Sequence, residues 1–202
     1  MPLTEREKQT QELYEVSARE WLDHSGGKDR PCFWPEMQHF MINLEGDEKV
    51  LEVGCGPATD GKYLAQCGAK VFSIDYSKTM LGIAKELDHS AALAQMDMQS
   101  LGFEDNQFDG FWATACLLHL ENPDKALREL VRVTKRGGVG FITLKEGDGE
   151  AVDPRTGYYF RYYRSPDFLR KLKYIGLETI QSGRKAGTPN HDFLTYLVRV
   201  VK

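Results

Sequence analysis

The chain has 202 residues and a formal net charge of -4, and 41% of its residues are hydrophobic and 28% charged. This balance is typical of a globular protein, and the length fits one domain covering residues 1–202. No apolar run is long enough to span a membrane, and the polar N-terminal segment lacks the apolar core of a secretory signal, so we expect a cytoplasmic protein without a membrane partner. The acidic balance argues against a nucleic-acid partner, because phosphate binding requires a basic surface.

The cysteines and histidines show no metal-binding spacing. The four cysteines form no C-x-x-C pair, and the five histidines form no H-x-x-x-H pair. We therefore expect reduced thiols and no bound metal.

The first 45 residues predict two helices. Apolar residues recur at helical spacing from residue 4 to about residue 23, which indicates an amphipathic helix. Gly26 and Gly27 interrupt this pattern. A second helix is predicted to begin at Trp34-Pro35, because proline is favoured in the first turn of a helix.

The central region predicts alternating strands and helices. Three short apolar runs, which begin at Lys49, Ala69 and Val139, are rich in β-branched residues and are separated by helical patterns. This alternation predicts βαβ units and a mostly parallel sheet. Further strands are expected at residues 91–95 and from Phe108, and Ser77 is a good N-cap for a helix that ends near residue 87.

The last third predicts two more helices and two terminal strands. One helix follows Asn122-Pro123 and stops before Gly137, and another opens at Ser165-Pro166. Residues 145–158 contain three glycines and predict a loop. The terminal strands are expected at residues 177–181 and 193–201, separated by a loop rich in glycine and basic residues.

The end of the first strand predicts an adenosine site. A turn containing Gly54 and Gly56 precedes a helix, so backbone N–H groups can face an anionic ligand group and glycine permits its close approach. Asp75 ends the next strand, 21 residues after Gly54, where a carboxylate can accept hydrogen bonds from both ribose hydroxyls.

The charges around this turn favour S-adenosylmethionine (SAM) over NAD. Thr59 stands where the dinucleotide fingerprint needs a third glycine, and the carboxylates of Glu52 and Asp60 would repel a pyrophosphate. An acidic rim instead suits the ammonium and sulfonium groups of SAM.

Four segments, in order, resemble the motifs of class I SAM-dependent methyltransferases, in the small methyltransferase-domain group. They are VLEVGCGPATDGKYLA from Val50, VFSIDYSKTML from Val71, QMDMQSLGFEDNQFDGFWATACLLHL from Gln95 and ALRELVRVTKRGGVGFITL from Ala126. The resemblance implies a three-layer α/β, Rossmann-like sandwich over residues 46–202, with a seven-stranded, mostly parallel sheet whose last strand is antiparallel. It also implies SAM as the cofactor and residues 1–45 as a helical lid.

The same resemblance implies which residues surround the cofactor. They are Glu52, Gly54 and Gly56 at the methionine part, Asp75 at the ribose, Tyr76 and Met98 on either side of adenine, Asp97 at the adenine amino group, and Ala115 and Cys116 alongside. Ala58 departs from the pattern, because many family members have a third glycine there. Its methyl group is expected to tighten the turn or to shift the cofactor tail.

Two residues are candidates for the chemistry. Methyl transfer is an in-line displacement at a sulfonium, so it needs alignment and exclusion of water, and a fixed catalytic residue is optional. The family pattern places His119 just past the fourth strand, where it either acts as a general base or only packs against or caps the following helix. Tyr14 is either a lid tyrosine near the methyl group or a core residue of its amphipathic helix.

Residues 158–164 form an aromatic cluster on the side where this family builds its acceptor pocket. The rings either line that pocket or alternate into the core as in a strand. If they line the pocket, Arg161 or Arg164 would favour an acceptor with a carboxylate or phosphate, by bidentate pairing.

The resulting prediction is an enzyme, a monomer or homodimer, that transfers a methyl group from SAM to oxygen or nitrogen of a small-molecule acceptor. One alternative is a tRNA or protein methyltransferase, because LLHL and the downstream RYY loosely resemble wobble-uridine tRNA methyltransferases. Another is a noncatalytic SAM-binding regulatory protein. A nicotinamide-dependent oxidoreductase ranks last, because the third glycine is missing.

Overall fold

A computed structural model describes residues 3–23, 33–87, 92–188 and 191–202. In chain order, the helices are α1 (Glu5–Trp21), α2 (Trp34–Asn43), α3 (Thr59–Gln66), α4 (Lys78–Glu86), α5 (Asp124–Val133) and α6 (Ser165–Ile175). The strands are β1 (Lys49–Val53), β2 (Lys70–Asp75), β3 (Ala92–Gln95), β4 (Phe108–Ala113), β5 (Thr134–Lys145), β6 (Glu150–Val152), β7 (Tyr159–Arg161), β8 (Leu177–Thr188) and β9 (His191–Val200).

Seven strands form one sheet in the order β3-β2-β1-β4-β5-β9-β8. The first five strands in this order are parallel, and β9 is antiparallel to both β5 and β8. The prediction of a mostly parallel sheet with an antiparallel last strand is confirmed. Since β1 lies beside β4, the strand order reverses there, and the carboxyl ends of these two strands border the crevice where open α/β sheets bind ligands.

Helices cover both faces of the sheet. On one face, α5 and α6 bury Leu127 and Phe168 in the same core cluster as Leu51 of β1. On the other face, α2 buries Phe40 in a cluster with Val50, the preceding residue of β1. Successive residues of a strand point to opposite faces, so each such apolar residue contributes about 1.5–3 kcal/mol to one of two separate cores.

The N-terminal helix α1 lies at the carboxyl edge of the strands. It begins with a capping box, in which the Thr4 side chain and Glu7 satisfy each other's backbone N–H groups. Farther along α1, the carboxylate of Glu15 accepts hydrogen bonds from the first N–H groups of α4, at Lys78 (2.6 Å) and Thr79 (3.0 Å). Of the two helices expected to form a lid, α1 therefore lies over this edge, whereas α2 belongs to a layer of the sandwich.

Three sequence-based boundaries are corrected. The expected loop at residues 145–158 contains β6, which pairs with β7 in a separate two-stranded ribbon. The expected loop between the last two strands is mostly strand, because β8 continues past Arg184 in register with β9. In addition, β5 begins at Thr134 and not at Val139.

Some sequence-based predictions fall outside the described residues. Gly26, Gly27, Ala91 and Cys32 belong to this group. Among the residues described, no helix is both long enough and apolar enough to cross a bilayer.

Candidate cofactor and acceptor site

The loops that follow β1 and β4 touch at Gly54. This residue has a φ of +61°, and a Cβ placed on it would lie 2.4 Å from the Cβ of Cys116. Only glycine fits such a position. Burial raises the pKa of the Cys116 thiol to about 12, so the thiol is neutral at pH 7. The two loops therefore meet where the strand order reverses, with both predicted residues at the contact.

Two alanines in these loops have left-handed backbone angles. Ala58 has a φ of +53° and precedes α3, and Ala115 has a φ of +50°. A non-glycine residue in such a conformation costs about 1–3 kcal/mol, and strain of this kind concentrates at ligand-binding sites. The methyl group of Ala58 is buried in a cluster with Cys55 and Ala84. The departure from glycine at position 58 therefore adds an apolar contact with α4.

The carboxylate of Asp75 connects the turn after β1 to the start of α4. It accepts a hydrogen bond from the Gly56 N–H at 2.8 Å and another from the Ser77 N–H at 2.8 Å. Burial raises the pKa of Asp75, and these hydrogen bonds oppose the rise. Each carboxylate oxygen has two lone-pair directions, so Asp75 can also accept ribose hydroxyls. The N–H of Gly56, however, was expected to face an anionic ligand group, and it is used within the protein.

Glu52 lies beneath the turn, with a side chain that is only 2% exposed. Its two oxygens accept hydrogen bonds from the Gly61 N–H (2.9 Å) and the Ser73 hydroxyl (2.5 Å). A Cβ on Gly61 would lie 2.3 Å from Glu52 Oε2, so glycine makes room for this contact. Burial, together with the charge of Asp60, raises the pKa of Glu52 to about 8. Glu52 therefore lies beneath the turn and not at an exposed acidic rim, and its raised pKa favours the neutral carboxyl.

Asp60, the other acidic residue at the turn, is also engaged within the protein. Its Oδ2 accepts hydrogen bonds from Trp112 Nε1 at 2.8 Å and from the Thr114 hydroxyl at 3.1 Å. Burial raises the pKa of Asp60. These contacts fix the first turn of α3 to β4.

The residues expected around adenine lie at the ends of β2 and β3. Tyr76 follows β2 and is 41% exposed. Asp97 follows β3, and its Oδ1 accepts a hydrogen bond from the Gln99 N–H at 2.8 Å. The Cε of Met98 lies 3.6 Å from a Cβ placed on Gly54. The structure thus brings Met98 to the glycine turn and places Tyr76 and Asp97 at neighbouring strand ends.

Tyr14 and His119 form a hydrogen-bonded pair between α1 and the loop after β4. The Tyr14 hydroxyl lies 3.0 Å from His119 Nε2, and His119 Nδ1 lies 2.8 Å from the carbonyl oxygen of Tyr159. The carbonyl can only accept, so Nδ1 carries the proton and Nε2 accepts from Tyr14. The sequence named both residues, but it did not indicate that they touch.

Both members of this pair are neutral at pH 7. Burial lowers the pKa of His119 to about 4, and the charge of Lys145 contributes to the decrease. Burial also raises the pKa of Tyr14 above its ordinary value, and Tyr158 and Asp75 add to the rise. His119 is thus a weak base in this conformation, with its basic nitrogen covered by Tyr14.

Most rings of the aromatic cluster are buried, and they point in two directions. The Tyr158 ring stacks on Tyr14 with centroids 4.4 Å apart, and the Phe160 ring lies 5.0 Å from His119. Tyr159 points elsewhere, and its hydroxyl donates to Glu150 at 2.8 Å. The alternation comes from β7, and burial of these rings agrees with the interpretation that they alternate into the core, whereas their role in an acceptor pocket stays a prediction.

Comparisons with known proteins agree with this architecture. Residues 51–142 match the family described as "Methyltransferase domain". The 1,6-didemethyltoxoflavin-N1-methyltransferase of Burkholderia thailandensis, solved with 1,6-didemethyltoxoflavin and S-adenosylhomocysteine bound, has a similar fold, with a TM-score of 0.79 and 17% identity over 100% of this chain and 93% of that chain. Residues 51–142 of this chain therefore resemble a methyltransferase domain, and the fold is similar to that of a solved SAM-dependent methyltransferase.

Curated relatives of the methyltransferase domain have several acceptors. The chain is 38% identical over 99 residues to the malonyl-[acyl-carrier protein] O-methyltransferase of Buchnera aphidicola, covering 48% of this chain and 40% of that protein. It is 34% identical over 139 residues to the demethylmenaquinone methyltransferase of Corynebacterium glutamicum, covering 69% of this chain and 57% of that protein. The chain thus spans about half the length of the curated relatives it matches.

Lys145, the last residue of β5, lies near the Tyr14–His119 pair, and the sequence did not single it out. Its Nζ lies 3.3 Å from the centre of the Phe160 ring. Lys145 is the first residue of the loop expected at residues 145–158, so no strand or helix periodicity indicated the direction of its side chain. The alternation of β5 was the available signal, because Thr143 and Lys145 point to the same side of the strand.

A cavity lies at the edge of the sheet opposite to the one that carries this site. It has a volume of about 480 Å³ and opens at the amino-terminal edge of the strands, between Lys49, Lys70 and Phe108. No group of three or more potential metal-binding side chains occurs within the described ranges.

Proposed function

We propose that this chain is a SAM-dependent methyltransferase that acts on oxygen or nitrogen of a small-molecule acceptor. The observation that carries the proposal is the turn after β1, where Gly54 touches Cys116 and Gly56 bonds to Asp75, at the carboxyl edge of the sheet where the strand order reverses. A curated relative is a demethylmenaquinone methyltransferase and a protein of similar fold is a 1,6-didemethyltoxoflavin-N1-methyltransferase, and both names support a small-molecule acceptor.

In this proposal the residues at the strand ends hold the cofactor. SAM supplies a methyl group on a sulfonium, ready for in-line transfer. Asp75 would accept the ribose hydroxyls, Tyr76 and Met98 would flank adenine, and Asp97 would accept from its amino group. Ala115 and Cys116 would form the wall beside the sulfur, and Glu52 would support the turn from below without touching the ligand.

We assign Tyr14 and His119 to the region above the methyl group. Tyr14 reaches the site from α1 and is stacked on Tyr158, so it can exclude water from the transfer. His119 orients Tyr14 through the 3.0 Å hydrogen bond. For His119 to act as a general base, an acceptor hydroxyl would have to replace Tyr14 at Nε2.

Calorimetric titration with SAM, S-adenosylhomocysteine and NAD tests the cofactor site. We expect micromolar binding of the first two and none of NAD, with affinity falling about 10²-fold in Asp75→Ala and Asp75→Asn, because each charge-assisted hydrogen bond contributes about 1.5–3 kcal/mol. Asp167→Ala on α6 is the matched control, since this exposed aspartate pairs with Arg170. Binding of NAD but not SAM, or unchanged SAM binding in both Asp75 variants, would refute the assignment.

A second assay separates catalysis from mere binding. Release of S-adenosylhomocysteine would be measured with panels of small hydroxyl, carboxylate and amine compounds, and with bulk tRNA. We expect turnover with a small compound and none with tRNA. Tight SAM binding without turnover on any acceptor would favour the noncatalytic alternative.

We also propose a cytoplasmic location, and either a monomer or a homodimer as the oligomeric state. Free cysteines at positions 55, 67 and 116 fit a reducing compartment such as the cytoplasm. A single chain supplies all the residues assigned above, which fits either a monomer or a homodimer.

A further inference from the structure

Lys145 places a cation beside the Tyr14–His119 pair. It ends β5 at the carboxyl edge of the sheet and is half-buried. Its Nζ lies over the Phe160 ring, 3.3 Å from the ring centre, and that ring in turn lies 5.0 Å from His119. Phe160 thus has the ammonium group on one side and the imidazole nearby.

The surroundings of Lys145 offer little compensation for its charge. In the described part of the chain, no hydrogen bond or ion pair reaches its Nζ, whereas Lys135 and Lys171 have the carboxylate partners Asp109 and Asp124. Burial lowers the pKa of Lys145; the charge of Asp153 opposes this decrease and that of Arg155 adds to it. A half-buried cation held only by an aromatic ring is less stable than one in water or in an ion pair.

The two arginines that the sequence named as anion-binding residues are engaged elsewhere. Arg161 Nη1 donates to the carbonyl oxygen of Glu121 at 2.5 Å. Arg164 is exposed and forms a bidentate ion pair with Asp148. The sequence-based hypothesis that these arginines bind the acceptor therefore finds no support in their geometry, whereas Lys145 places a cation close to the Tyr14–His119 pair.

We propose that Lys145 pairs with an anionic oxygen of the methyl acceptor, so that the acceptor is an organic acid with an apolar body. The aromatic walls of Tyr158 and Phe160 would contact that body, and the ammonium group would receive the anion. The neutral His119 and Tyr14 provide no competing charge. This inference rests on the proposed function and adds the chemical class of the acceptor.

Matched acids and amides test the inference directly. Cinnamate and benzoate, each with its neutral amide, would be titrated into the protein saturated with S-adenosylhomocysteine, with binding followed by ligand-observed NMR. We expect each acid to bind at least about 10-fold more tightly than its amide. Lys145→Gln should abolish this preference and Lys145→Arg should retain it. Arg164→Gln, which removes a cation from the same segment, should leave it unchanged.

A second experiment measures the pKa of Lys145 directly. After ¹³C reductive methylation, the Lys145 signal reports its own pKa, which should rise when cinnamate is added and stay constant when cinnamamide is added. Circular dichroism and thermal melting would verify that Lys145→Gln is folded.

The outcomes separate this inference from the proposed function. If the wild-type protein does not bind S-adenosylhomocysteine, the proposed function is contradicted. Cofactor binding without any preference for acids, including failure of both acid and amide to bind, would overturn the inference about Lys145 alone. An acid preference that survives in Lys145→Gln would do the same, because a purely structural cation–π contact predicts that result.

Discussion

Replacing Glu52 with glutamine should change the stability of the protein in a way that depends on pH. The unfolding free energy of Glu52→Gln, relative to that of the wild type, should increase as the pH rises from acidic to alkaline. Burial raises the pKa of Glu52 from its ordinary value of 4.5 to about 8. A raised folded-state pKa gives stability that is fully present below pH 4.5 and is lost as the pH rises through about 8. Between pH 5 and pH 8 the wild type should therefore lose about 3 kcal/mol through this one group.

Glutamine removes the proton uptake and retains most of the contacts. Its oxygen can accept from Gly61 N–H, and its amide group can donate to Ser73, whose hydroxyl then turns. The difference in unfolding free energy between Glu52→Gln and wild type should rise by about 3 kcal/mol from pH 5 to pH 8, which corresponds to about 6–12 °C in melting temperature for a domain of this size.

The assay is urea denaturation at several pH values, with the difference between two proteins taken at each pH so that other titrating groups cancel. Glu45→Gln is the matched control, because it makes the same chemical change on an exposed residue. A difference that stays constant with pH would show that Glu52 is ionised in the folded protein. In that case the acidic rim expected from the sequence would be restored.

Three further predictions concern the same site. His119 should remain neutral, with the proton on Nδ1, down to about pH 5, because burial lowers its pKa to about 4; ¹⁵N NMR measures this, and a ring titrating near 6.5 would contradict it. Tyr14→Phe should cost about 1 kcal/mol of unfolding free energy by leaving His119 Nε2 without its donor, and an unchanged urea midpoint would argue that the bond does not form in solution. Gly54→Ala should abolish SAM binding and destabilise the fold by at least about 1–3 kcal/mol, because its φ is +61° and its Cβ would lie 2.4 Å from Cys116 Cβ; a stable variant that binds SAM in calorimetry would refute this.

The fold was predictable where local pattern and tertiary contact agree. The strand beginning at Lys49, the N-cap at Ser77 and the antiparallel last strand follow from periodicity, capping chemistry and the family resemblance. The pattern failed where pairing with a neighbouring strand outweighs low strand propensity. Gly183 and Arg184 are β-strand because β9 supplies their hydrogen-bond partners, and no local signal in a basic, glycine-containing segment shows this.

The sequence identified which residues lie at the site better than it predicted their protonation states and their contacts. Motif order identified Glu52, but its protonation depends on burial and on Gly61, nine residues later in the chain, which makes room for the carboxyl. Likewise, the sequence named Tyr14 and His119 separately. Their contact depends on how α1 lies over the strand ends, which helical spacing does not specify.

The charge states around the methyl position bear on which atom is methylated. An aliphatic amine acceptor is protonated at pH 7 and must lose a proton before its nitrogen can attack the methyl group, and His119, with a pKa of about 4 and a covered Nε2, is poorly suited to accept that proton. An oxygen anion needs no base, and its reaction with a sulfonium neutralises both charges, which a site lined by neutral groups such as Tyr14 and Cys116 favours over water. With Lys145 to bind the anion, transfer to oxygen is the reaction that these residues suit. An amine that is methylated faster than any acid in the acceptor screen, with turnover unaffected by Lys145→Gln, would contradict this argument.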